Sequence, residues 1–247
     1  MIIKSGDHSV LLSCQGGSIL QWQWKDHLIL GPTRMEKVDS EFKLRGMTHW
    51  CYPNFGQAAD LPQHGFLRES VMEPRRLSAN FAEFRKSFKA IDGFPWESRA
   101  LIEHVISLDA PEDYDHLTSA ISITNISYRR EHETIGDMPI LPALHPYFNT
   151  EKGAAITIGQ KQIIFGKPVS ISRDNPIVVY FSFGRVTMKP SDNCEWLVVW
   201  SDKASSYLCV EPIFFGEPSS FRDNDMGKLI KSGQTVACEV IFFFEPA

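Results

Sequence analysis

Short apolar runs separated by turn residues dominate this chain, and several alternate apolar and polar side chains with period two. Leu117-Thr118-Ser119-Ala120-Ile121-Ser122-Ile123-Thr124-Asn125 is the clearest case. That period puts every second side chain on one face of an extended strand. Similar runs fall at residues 10–13, 18–24, 155–158, 177–183, 196–200, 207–210 and 236–244. Helical periodicity is scarce. Residues 77–88 are compatible with a helix, but 81–88 alternate well enough for a further strand. The run Val240-Ile241-Phe242-Phe243-Phe244 reads as a central final strand covered on both faces. Frequent strands with Gly, Pro, Asn and Asp between them predict an all-β protein, a sandwich or barrel. With no internal repeat, low-complexity tract or linker, residues 1–247 are expected to form a single domain.

Composition narrows the function. Of 247 residues, 43% are hydrophobic, enough for a sizeable core. The formal net charge of −5, with both signs spread along the chain, offers no basic stripe, so no nucleic-acid partner is expected. No apolar run is long enough to cross a bilayer, so no membrane partner is expected either. Met1-Ile2-Ile3-Lys4 lacks the features of a signal peptide. Five cysteines (Cys14, Cys51, Cys194, Cys209, Cys238) are an odd number without a CxxC pair. Reduced thiols, a cytoplasmic location and no metal site are the corresponding expectations.

Three segments carry candidate chemistry. Pro62 and Gly65 bracket a turn around His64, which places that histidine and Arg68 on a loop. There they either cap a turn and meet solvent, or bind a ligand. His145 lies in Leu144-His145-Pro146-Tyr147-Phe148. It is either a satisfied core histidine or a proton donor suited to neutral pH. Glu211 follows Tyr207-Leu208-Cys209-Val210 and precedes Pro212-Ile213-Phe214-Phe215. Among such apolar neighbours a carboxylate needs a purpose, and burial makes it a stronger base. Arg45-Gly46 leads into an aromatic segment, Trp50 to Phe55, fit either for core packing or for stacking on a sugar. His49 sits there with nothing to single it out. Asp174 reads as a turn aspartate.

In their order along the chain, these segments resemble the aldose 1-epimerase (galactose mutarotase-like) family. The residues that carry the resemblance are Gly16 to Trp22, Arg45-Gly46 with Tyr52-Pro53-Asn54-Phe55-Gly56, Pro62 to Arg68, Leu144 to Phe148, Val199-Trp200-Ser201 and Cys209-Val210-Glu211-Pro212. The resemblance implies an antiparallel β-supersandwich and interconversion of the α and β anomers of a hexose, without cofactor or metal. By the same resemblance His145 matches the general acid and Glu211 the general base. His64 matches a sugar-binding histidine, Gln63 and Asp174 match substrate contacts, and Arg45 and Arg68 match phosphate contacts of a hexose-6-phosphate branch. The expected partner is a small sugar or sugar phosphate. A hexose-6-phosphate 1-epimerase and a non-catalytic sugar-binding module are the alternatives. Oligomeric state is not legible.

Overall fold

The computed structural model describes residues 1–38, 41–58, 60–107, 115–127, 136–149, 155–159, 166–171, 176–201, 207–218 and 227–247. Among these the regular structure is β-strand, with a single 3-10 turn at Leu67–Glu69 and no α-helix. Two large antiparallel sheets carry the fold. The first runs in the order Ile2–Ser5, His8–Leu12, Ile19–Trp24, His27–Leu30, Tyr147–Asn149, Tyr207–Phe214, Ala143–His145, His49–Cys51. Cys194–Trp200 also pairs with Tyr207–Phe214 and carries Pro168–Ser170 beyond it. The second runs Ala155–Ile158, Ile177–Phe181, Gly184–Pro190, Thr235–Pro246, Asp115–Asn125, Ser98–Ser107, Phe81–Phe88, Glu73–Leu77. This is the antiparallel β-supersandwich that the period-two pattern and the resemblance anticipate.

The alternation does the work in the second sheet. Ser98–Ser107 buries every second residue, and Asp115–Asn125 does so from Leu117 to its end. Register aligns their buried faces: Ile102 stands opposite Ile121, and Leu117 opposite Phe242. The segment that is compatible with a helix is instead two strands, and Phe81–Phe88 keeps its buried face with Ala82 and Phe84. Two expectations need correction. Thr235–Pro246 is central, between Gly184–Pro190 and Asp115–Asn125, but only one of its faces is buried. Tyr207–Phe214 is buried on both faces, and it runs through Glu211 and Pro212 instead of ending before them.

Facing sides of the two sheets interlock in one core that includes Trp22, Trp50, Phe84, Phe148, Phe214, Phe242 and Phe244. Polar atoms inside it are tied across the sandwich. Trp50 Nε1–H donates to Ser119 Oγ at 3.0 Å, Tyr52 O–H to Ser98 Oγ at 2.6 Å, and His104 Nε2–H to the Gly17 carbonyl at 2.7 Å. Trp22 donates to His8 Nδ1 at 3.2 Å, so His8 carries its proton on Nε2 and donates it to Asp115, 3.1 Å away. Each bond satisfies a donor that burial would otherwise leave unpaired. No helix long and apolar enough to cross a membrane occurs among the described residues.

Ser119→Ala removes the acceptor of a fully buried indole N–H. We expect a loss of about 1–3 kcal/mol in unfolding free energy, measured by urea denaturation. A change below a few tenths would mean that the indole finds another partner.

Candidate active site

Strand parity assembles the site. Along Tyr207–Phe214 the even positions Leu208, Val210 and Phe214 face the main core, whereas Cys209, Glu211 and Ile213 face the other side. The neighbouring strands follow the same rule. Trp50, Leu144 and Phe148 join the main core, while Cys51, Ala143 and Tyr147 line the opposite face. His145 stands opposite His49 in register, and Tyr147 opposite Cys209. The histidines, the glutamate and two aromatic rings therefore share one face of the first sheet.

Pro212 would ordinarily break a ladder. Phe214 N–H donates to the Pro142 carbonyl, and alternation points the Pro212 nitrogen the same way. In register Pro212 stands opposite Leu144, so the ladder gives up one donor there, and the pairing resumes on either side at Ala143–Ile213 and Tyr147–Cys209.

His145 Nε2 lies 3.1 Å from Glu211 Oε1. Both residues are nearly sealed, at 5% and 3% exposure. Burial penalises both charged forms, which pushes the Glu211 carboxyl up to about 8 and holds His145 well below the usual imidazole range. At neutral pH the pair then holds one proton, on the carboxyl, with the imidazole neutral. A carboxylate beside an imidazolium, the ordinary order for these side chains, is reversed by the dry setting.

Aromatic rings fix the His145 plane. Tyr147 stacks on it at 4.7 Å and 15°, and His49 at 5.1 Å and 17°. His64 meets it edge-on at 5.2 Å and 90°. His49 Nδ1–H donates to the Met47 carbonyl at 2.8 Å, so its Nε2 is the unprotonated nitrogen. That nitrogen is buried without a hydrogen-bond partner, as is His145 Nδ1. Burial lowers His49 to about 3.

His64 sits on the loop the sequence predicts, with φ +65° followed by Gly65 at φ +73°. A side chain at Gly65 would collide with the Tyr52 carbonyl, so only glycine turns the chain here. Gly56 N–H donates to His64 Nδ1 at 3.3 Å, leaving Nε2–H as the free donor. Burial and the nearby Arg68 charge lower His64 to about 4, so it is neutral under ordinary conditions.

Arg68 occupies the 3-10 turn, half-buried and 3.7 Å from exposed Glu69. Its charge acts on His49, His64 and His145. Arg45 ends its strand half-buried, and its charge acts on Tyr147. Gln63 is exposed on the loop before His64. Asp174 lies outside the described residues. Sequence reasoning passed over the ring stack that holds His145. The signal was parity: Tyr147 lies two residues beyond His145, and His49 is its cross-strand partner.

A buried carboxyl–imidazole pair framed by aromatic rings therefore lies on one face of an antiparallel β-supersandwich. The sequence profile of the aldose 1-epimerase family matches residues 2–174. This chain belongs to that family, and with it to the isomerases that act on small sugars. Solved structures are similar over nearly their whole length. The Slr1438 protein of Synechocystis sp. PCC 6803 superposes with a TM-score of 0.78 at 16% identity, covering 100% of this chain and 96% of the other. A putative aldose 1-epimerase from Escherichia coli K12 gives 0.76 at 14%, covering 100% and 98%. A galactose mutarotase related enzyme from Lactobacillus acidophilus gives 0.74 at 15%, covering 99% and 97%. At these identities the likeness shows the fold. No curated protein matches the sequence.

Proposed function

We propose that this protein interconverts the α and β anomers of a hexose, with Glu211 and His145 as the acid–base pair. The observation that carries the reading is the 3.1 Å contact between a sealed carboxyl and a sealed imidazole; burial shifts them in opposite directions, which favours one proton between them.

Anomer exchange needs that proton count. One group takes the proton of the anomeric hydroxyl while the other delivers a proton to the ring oxygen. The bond between C1 and the ring oxygen breaks, the aldehyde forms, rotation about C1–C2 turns its face, and the roles reverse on closure. Both oxygens are bonded to C1, so two groups in mutual hydrogen-bonding reach can address both. The family resemblance makes His145 the acid and Glu211 the base. That state is one proton transfer across the 3.1 Å contact from the one burial favours in the free protein. His64 Nε2–H is free to hold a sugar hydroxyl oxygen, and a neutral donor is what a neutral hydroxyl needs.

The proposal is tested by polarimetry on freshly dissolved α-D-glucose and α-D-galactose. Glu211→Gln keeps the shape of the side chain but not its basicity, and turnover should fall at least about 10²-fold. The rate should also fall above about 8, where the pair loses its single proton from Glu211, and again in acid as His145 takes a second. Near wild-type turnover in the Gln variant would remove Glu211 from the mechanism.

A second reading within the same site is a hexose 6-phosphate as substrate. It is favoured by the reach of the Arg68 charge over three histidines and of Arg45 over Tyr147, around a carboxyl that burial drives towards neutrality. A net positive site suits an anionic ligand, and each charge-assisted contact contributes about 1.5–3 kcal/mol. Arg68→Ala should then lower kcat/KM for glucose 6-phosphate at least about tenfold and leave free glucose nearly unchanged. Equal losses on both substrates would assign Arg68 to the sugar ring or the loop.

A further inference from the structure

The face that presents Glu211 also presents Cys209, two residues earlier on the same strand. Cys209 is not in a disulfide and is fully buried. The ligating atoms of His145, Cys209 and Glu211 all lie within 4.8 Å of one another. We propose that these three side chains form a binding site for a borderline-soft divalent cation, Zn²⁺ above all, and that the bound ion blocks the sugar site by occupying the acid–base pair.

Geometry is the first support. Zinc holds sulfur at about 2.3 Å and nitrogen or oxygen at about 2.0–2.2 Å in a tetrahedron, which sets its ligand atoms roughly 3.3–3.6 Å apart. The His145–Glu211 edge, 3.1 Å, is nearly in place, and the Cys209 sulfur lies within 4.8 Å of both. Charge is the second. A thiolate and a carboxylate cancel the two charges of the cation, so the filled site is neutral, as a dry interior requires. Binding releases the thiol proton and the proton shared by the pair to solvent. The donor set is the third. One nitrogen, one sulfur and one oxygen select zinc, cobalt or cadmium over magnesium and calcium, which prefer all-oxygen shells. Three protein ligands leave a fourth position for water. The reading of the cysteines by CxxC spacing passes over this set, because a strand supplies neighbouring ligands at i and i+2 and the third comes from the next strand.

The test begins with metal alone. Reduced wild-type protein, freed of chelators, is titrated with Co²⁺. The expected result is one equivalent bound with a thiolate-to-cobalt charge-transfer band, displaced by Zn²⁺, unaffected by Mg²⁺ and absent from Cys209→Ser. No thiolate band in the wild type, or an unchanged band in the variant, overturns the site. In the anomer-exchange assay, Zn²⁺ should inhibit, EDTA should reverse it, and Cys209→Ser should need at least about tenfold more Zn²⁺ relative to its own metal-free rate, matching the loss of a first-rank ligand. Cobalt binding without inhibition by zinc overturns the blocking role. The spectral readout uses no sugar, so it stands or falls separately from the epimerase reading.

Discussion

Everything in the site depends on holding one carboxyl group in a dry strand. Glu211 lies within Tyr207–Phe214, whose residues are all buried, with Cys194–Trp200 on one side and the interrupted Ala143–His145 and Tyr147–Asn149 on the other. An ionised carboxylate in such a place is too costly to persist alone, so the group keeps its proton or shares it with a base 3.1 Å away. His145 is that base, and its own burial prevents it from taking the charge outright. The two penalties act in the same direction, and both favour a pair whose proton sits on the carboxyl beside a neutral ring. That property belongs to the fold, because it follows from pairing a glutamate-bearing strand on both edges.

The surrounding rings serve the same end. Tyr147 and His49 lie nearly parallel to the His145 ring and beside one another, and His64 meets its edge. Fixed tautomers on His49 and His64, set by the Met47 carbonyl and the Gly56 N–H, leave one ring with a bare nitrogen and the other with a free N–H. The site is thus furnished with neutral donors and acceptors of defined sense, the vocabulary for reading hydroxyl groups. Burial keeps all three histidines uncharged, and the Arg68 charge adds to it. The same arrangement of imidazole, carboxyl and adjacent thiol is open to a competing cation, so the chemistry that makes the pair useful also exposes it to zinc.

Much of this was legible in the chain itself. Period-two alternation placed the strands it picked out to within a few residues at either end, because a half-buried strand writes its two faces directly into the sequence, but it passed over Ser98–Ser107, which alternates throughout. Pro62 and Gly65 placed His64 on a loop, and the positive φ values at His64 and Gly65 are the physical reason. The apolar neighbours of Glu211 correctly signalled burial. Its position within the strand was hidden because Pro212 reads as a terminator, yet the pairing continues on both sides of it. Val240 to Phe244 misled in the opposite sense, since an unbroken apolar run suggests two covered faces, yet Ile241 and Phe243 lie on the less buried side. Contacts between strands distant in sequence, such as His49 with His145, need the register, which no local pattern encodes.

The central claim is that burial, not ordinary basicity, decides where the proton of the pair resides. Nitrogen-15 NMR of the His145 ring tests it most directly, with histidine-labelled protein followed from acid to alkaline pH. The account predicts a neutral ring at pH 7, one nitrogen protonated and one bare, with the second protonation appearing only well below the usual imidazole range. A ring carrying protons on both nitrogens at pH 7 would show a charge-separated pair with an ionised Glu211, and would contradict the account.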